Sequence, residues 1–92
     1  MPLLSTIEVS LALTSLPGWE IQNSELTRTF TFTDFRESMS FVDLVAALAE
    51  RAQHHPDIDI RYNKVRLALV SHDAGGITDK DVTLATDIED GM

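Results

Sequence analysis

The sequence predicts an α+β domain. It is a two-layer sandwich in which a four-stranded antiparallel sheet carries three helices on one face, in the order α-β-β-α-β-β-α. Two observations predict it. Capping patterns at Ser5-Thr6-Ile7-Glu8, Asp34-Phe35-Arg36-Glu37 and Thr78-Asp79-Lys80-Asp81 each precede apolar residues at helical spacing. Between them lie two pairs of segments that alternate apolar and polar residues about a short polar turn, the pattern of β-hairpins. Hairpins make antiparallel neighbours, so the four strands join one sheet whose oily face needs helices over it.

In the first helix the Ser5 hydroxyl accepts an unpaired N–H and Glu8 reaches back to Ser5. Val9, Ala12, Leu13 and Leu16 form its apolar face, and Pro17-Gly18 stops it. Trp19 to Gln22 and Glu25 to Phe32 make the first hairpin about Asn23-Ser24. Its second arm sets Leu26, Arg28, Phe30 and Phe32 against Thr27, Thr29 and Thr31.

The second helix is the longest, from about 34 to 54. Phe41, Leu44, Val45, Leu48, Ala49 and Ala52 lie on one face, which Phe35, Met39 and Val42 widen. Pro56 ends it, because the residue before a proline is pushed out of the α region. His55 then stands at the exit and His54 one step inside.

The second hairpin runs from Asp57 to Tyr62, turns at Asn63-Lys64 and returns from Val65 to Ser71. Ile58, Ile60 and Tyr62 alternate with Asp57, Asp59 and Arg61; Val65, Leu67 and Leu69 alternate with Arg66, Ala68 and Val70. Continuing that alternation puts His72 on the Ala68 and Val70 side. A loop through Gly75-Gly76 leads to the third helix, from Thr78 to about Glu89. Leu84, Ala85 and Ile88 make its stripe, and Asp81 faces the same way. The residues from Glu89 to Met92 are expected to fray.

The 92 residues make one domain, 1–92, with a small core that association between subunits would help to complete. The net charge is −8, and the basic residues are scattered singly, which argues against direct nucleic-acid binding. No apolar run approaches the roughly 20 residues that span a bilayer. The apolar N-terminal stretch lacks Lys and Arg and carries Glu8, so it reads as part of the fold and not as a secretory signal. No Cys is present, which excludes disulfides, thiolate metal sites and thiol nucleophiles. These features give the expectation of a cytoplasmic protein without a membrane partner.

All three histidines, His54, His55 and His72, fall at element ends, and Asp81 opens the last helix. Two bland readings apply. Imidazoles at a helix end favour the negative end of its dipole, and Asp81 is the third-position partner of a Thr78 cap. Two functional readings compete with them. Three His and one Asp form a donor set that zinc uses, although adjacent His on one helix point about 100° apart and helical pairs interact at i, i+3 or i+4. The other reading is general acid–base catalysis, since imidazole both gives and takes a proton near neutral pH. No nucleophile elbow and no phosphate loop is present.

The stretch from Glu50 through Gln53-His54-His55-Pro56 to Tyr62-Asn63-Lys64-Val65 resembles the signature of the pterin-4a-carbinolamine dehydratases. So do Ser71-His72-Asp73-Ala74-Gly75-Gly76-Ile77-Thr78-Asp79-Lys80-Asp81, Gly18-Trp19, and Phe30 through Asp34-Phe35. The resemblance covers about residues 5–90 and implies the same element order. It implies dehydration of 4a-hydroxytetrahydrobiopterin or a related reduced pterin to the quinonoid dihydropterin, with the pterin as substrate and no cofactor. His54, His55 and His72 match the family's active-site histidines and Asp81 its acidic partner. Trp19, Glu50 and Pro56 match substrate-binding positions, and no residue matches a metal ligand. The resemblance also implies a homodimer or homotetramer. It allows a different role, since some chains of this fold are coactivators or assembly factors. Ile58 departs from the pattern, standing where many members have Trp, and the first hairpin is short.

Overall fold

The computed structural model describes residues 2–92. Its elements follow the expected order: α1 (Thr6–Leu13), β1 (Glu20–Gln22), β2 (Glu25–Thr31), α2 (Phe35–Ala52), β3 (Asp57–Arg61), β4 (Lys64–Leu69) and α3 (Asp79–Gly91). The strands form one antiparallel sheet in the order β1-β2-β4-β3. Phe30 pairs with Val65 and Leu26 with Leu69, so the apolar rows of β2 and β4 share one face. Val45 and Ala49 of α2 and Leu84, Ala85 and Ile88 of α3 complete the core on that face. Thr27, Thr29 and Thr31 line the opposite face with Arg66, Asp57 and Asp59.

Turn chemistry fixes the register. Asn23 and Ser24 both adopt positive φ, as the tight hairpin turn requires. In the second hairpin Arg61 pairs with Lys64, so the turn is Tyr62-Asn63, one residue earlier than Asn63-Lys64. Tyr62 takes the positive φ there, and the Asn63 side chain donates to the carbonyl of Phe32 at 3.1 Å.

Four helix ends depart from expectation. The capping box at Ser5 and Glu8 closes at both bonds, yet α1 ends at Leu13, short of Pro17. A run of turns then carries the chain to Leu16, and Leu16 is buried while no residue of α1 is. At α2, Asp34 caps the Glu37 N–H, but Glu37 reaches back to Thr33 N–H and not to Asp34. The tail does not fray at Glu89. Helix α3 continues to Gly91, because the Glu89 carboxylate accepts from both Arg28 and the Trp19 indole, and Ile88 is fully buried.

The end of α2 matters most. Gln53 turns left-handed, with φ 52° and ψ 43°. Its N–H donates to Glu50 O, and the His54 N–H donates to Ala49 O at 3.1 Å. This pair of bonds closes a helix by itself. The helix therefore stops before Pro56 acts, and both His54 and His55 lie outside it.

Candidate active site

The chain reversal at Gln53 brings His54 beside the start of α3. Its Nε2 lies 2.5 Å from Asp81 Oδ1. Asp81 is 0% exposed and His54 side-chain exposure is 12%. The other carboxylate oxygen, Oδ2, accepts the Thr78 N–H and the Ser71 hydroxyl, each at 2.9 Å. Asp81 is thus both the cap partner of Thr78 and the partner of a histidine; the two readings of its position share one geometry. Burying a carboxylate is expensive unless its oxygens are answered. Here they are: among the described residues no buried side-chain N or O lacks a partner.

This network assigns the tautomer of His54. A carboxylate only accepts, so Nε2 carries the proton and donates it to Asp81. Nδ1 is left as the ring atom free to exchange a proton. The same logic holds for His55, whose Nε2 meets Glu50 Oε2 at 2.5 Å. That pair is largely open to water, with side-chain exposures of 59% and 72%. It orients the ring and adds little to stability.

His72 follows the bridge between Ser71 and Gly76. The Ser71 carbonyl accepts from the N–H groups of Ala74, Gly75 and Gly76, which folds the loop back on itself. Gly75 adopts φ 79°, a conformation that side chains rarely take. Val70 and His72 then share a side of the chain, as the alternation predicts. A cleft of 350 Å³ is lined by Gln53, His54, His55, Val70, His72, Asp73 and Lys80.

The structure therefore gathers His54, His55 and His72 around one cleft, with Asp81 behind His54 and Glu50 beside His55. Pro56 is half-buried next to them and does not line the cleft. Trp19 is not brought there. It is buried in the core, edge-on to Phe30 at 6.0 Å, and its indole N–H donates to Glu89 at 2.7 Å. Glu89 stands eight residues beyond Asp81, about 12 Å along α3. Among the described residues no group of three or more His, Asp or Glu is arranged to hold a metal ion.

Sequence reasoning left Lys80 and Ser71 without a role. Ser71 had a signal: it continues the inward row of Val65, Leu67 and Leu69 on β4. A hydroxyl in an apolar row needs a buried partner, and Asp81 in the apolar stripe of α3 needs one too.

Comparison with known proteins identifies the family and its fold. The family model described as pterin 4 alpha carbinolamine dehydratase matches residues 2–91. A Chloroflexus aurantiacus protein named pterin-4-alpha-carbinolamine dehydratase is 53% identical over 92 residues, covering 100% of this chain and 99% of that protein. One of the same name from Acidobacterium capsulatum is 60% identical over 77 residues, 84% of each chain. The crystal structure of a transcriptional coactivator/pterin dehydratase from Brucella melitensis superposes with a TM-score of 0.91 at 32% identity, over 96% of both chains. A pterin dehydratase-like RuBisCO assembly factor of the alpha-carboxysome shares the fold, with a TM-score of 0.63 at 22% identity, over 78% of this chain and 83% of that one. Matched end to end by sequence and by backbone, the chain belongs to the pterin-4-alpha-carbinolamine dehydratase family.

Proposed function

We propose that this protein dehydrates a pterin-4a-carbinolamine, 4a-hydroxytetrahydrobiopterin or a close relative, to the quinonoid dihydropterin and water. The observation that carries the reading is the cleft shared by His54, His55 and His72, with the buried Asp81 fixing one of the rings. Hydro-lyase chemistry is what the family and the names of its curated members carry. The reaction needs a proton delivered to the departing C4a hydroxyl and a proton taken from N5. Imidazoles on one wall answer both needs near neutral pH. The Nδ1 atoms of His54 and His55 are the ring positions left for that exchange. A 350 Å³ cleft is within the range of about 300–1,000 Å³ usual for small-molecule sites.

The reduced pterin is the substrate, and the reaction takes no cofactor and no metal. Dehydratase activity is expected to survive exhaustive chelation. Activity lost with stoichiometric zinc and restored by its return would overturn the metal-free reading. The protein acts in the cytoplasm as a homodimer or homotetramer and contacts neither nucleic acid nor membrane directly. No helix among the described residues is long and apolar enough to cross a membrane, and the net charge of −8 disfavours nucleic acid.

The test is to add the protein to an aromatic amino acid hydroxylase reaction and follow the carbinolamine absorbance. Accelerated decay is expected. A second reading, a binding role on the same fold, draws on the Brucella melitensis protein described as both coactivator and dehydratase. Folded protein that leaves the decay unchanged would favour that role.

A further inference from the structure

We propose that Ser71 is a positioning residue for His54, acting through Asp81. The proposal rests on the reading above, in which His54 exchanges a proton with the pterin. Ser71 is 2% exposed and lies at the end of the inward row of β4. Its single hydroxyl has two oxygen neighbours, Thr78 Oγ1 at 2.7 Å and Asp81 Oδ2 at 2.9 Å. A carboxylate has no proton to give, so the Ser71 proton goes to Asp81. The Thr78 hydroxyl must then donate to the Ser71 oxygen. Thr78 Oγ1 in turn accepts the Lys80 N–H, at 3.3 Å.

The donors therefore run one way, from Lys80 N–H to the Thr78 hydroxyl, to the Ser71 hydroxyl, to Asp81 Oδ2. That oxygen also accepts the Thr78 N–H, which fills its two lone pairs. Oδ1 is left for His54 alone. Two fixed donors on one oxygen hold the carboxylate plane, and the held plane presents Oδ1 to Nε2–H of His54. The ring is kept in a single tautomer with Nδ1 available at the cleft. Chains of this kind polarise each bond along them, so the last link is strengthened by those before it.

Without the Ser71 hydroxyl, Oδ2 keeps only the Thr78 N–H. The Thr78 hydroxyl loses its acceptor as well. The carboxylate can turn, its hold on Nε2–H weakens, and both tautomers of His54 become populated. Ser71 is buried and does not line the cleft, so its loss should reach kcat and leave KM nearly unchanged.

The experiment compares the wild type, Ser71→Cys and Ser71→Ala, which step the donor down from hydroxyl to thiol to none. Carbinolamine turnover gives kcat and KM, and ¹⁵N NMR of the His54 ring reads the tautomer. In Ser71→Ala kcat is expected to fall about 10-fold, the scale of one hydrogen bond to a charged acceptor. The two ring nitrogen signals should draw together as the tautomers mix, with Ser71→Cys intermediate in both readouts. Wild-type nitrogen signals in Ser71→Ala would overturn the proposal whatever the rate does, as would altered signals at an unchanged kcat. Where Ser71→Ala fails to fold, Ser71→Cys is judged by the same two criteria. A wild type that turns over no carbinolamine strikes the dehydratase reading instead, while the nitrogen signals still decide whether Ser71 positions His54.

Discussion

Asp81→Asn separates the two duties of one buried side chain. Asn keeps the size of Asp81 but offers one acceptor and one donor group. Two donors, the Thr78 N–H and the Ser71 hydroxyl, face Oδ2, whereas one faces Oδ1. The amide oxygen will settle toward the pair, which keeps the cap of α3. The NH₂ group then meets His54 Nε2, which must accept, and the ring proton moves to Nδ1. The folded variant is expected to lose about 10²–10⁴ in kcat, the usual worth of a positioned acid or base, with a displaced pH–rate profile. Normal kcat and an unmoved profile would leave Asp81 as a cap alone. His55 and His72 make the complementary case, for both rings are exposed at element ends. His55→Ala and His72→Ala are expected to cost the fold only about 0.5 kcal/mol, read by urea unfolding, and kcat about 10²–10⁴-fold. Activity near wild type in either variant would remove that ring from the chemistry. The identity of these residues was legible in the sequence. Their match to one family's active site implied that they meet; the backbone turn at Gln53 that brings His54 to Asp81 was not legible, because it depends on where α2 stops.

That stop is a property of the element, set by Gln53. The period of Phe41, Val45 and Ala49 and the caps Ser5, Asp34 and Thr78 place all three helices, and alternation places all four strands. Endings are less legible, because they turn on single backbone angles and on partners far along the chain. Pro56 was a sound stop signal, but the left-handed Gln53 acts three residues earlier. The end of α3 depends on Trp19 and Arg28, 70 and 61 residues before Glu89. Gln53 accepts a conformation that glycine takes without strain, and its side chain compensates by donating to Glu50 O at 2.7 Å. Gln53→Gly is therefore expected to stabilise the fold by up to about 1 kcal/mol, measured by urea unfolding. The gain is capped by the greater freedom of glycine in the unfolded chain. Destabilisation of more than that amount would show that the Gln53 side chain, and not its backbone, holds the two histidines in place.

At the scale of the molecule, the sheet is unfinished at one side. β3 is an edge strand in which all five residues are exposed. Ile58 pairs with Leu67 and Ile60 with Val65, so both isoleucines lie in the core-facing row, yet each is 37% exposed. The helices leave both side chains only partly covered, and Phe35 at the start of α2 is 51% exposed as well. An edge strand with unpaired backbone groups invites pairing with another chain, and in β3 the two half-exposed isoleucines of the core-facing row offer that chain apolar surface to cover. A domain this small also gains stability from association. Light scattering is expected to give two or four times the 10.2 kDa chain mass at micromolar concentration. Charging the row is the sharper arm. Ile58→Lys puts an ammonium into the apolar face of β3 without touching His54, His55, His72 or Asp81, and is expected to yield the monomer. Because the residues lining the cleft belong to one chain, that monomer should retain the cleft and lose stability before it loses kcat. A wild-type monomer would overturn the association. An Ile58→Lys variant still assembled as the wild type would move the interface elsewhere, to the exposed Leu3 before α1 and Ile7 and Leu11 on it.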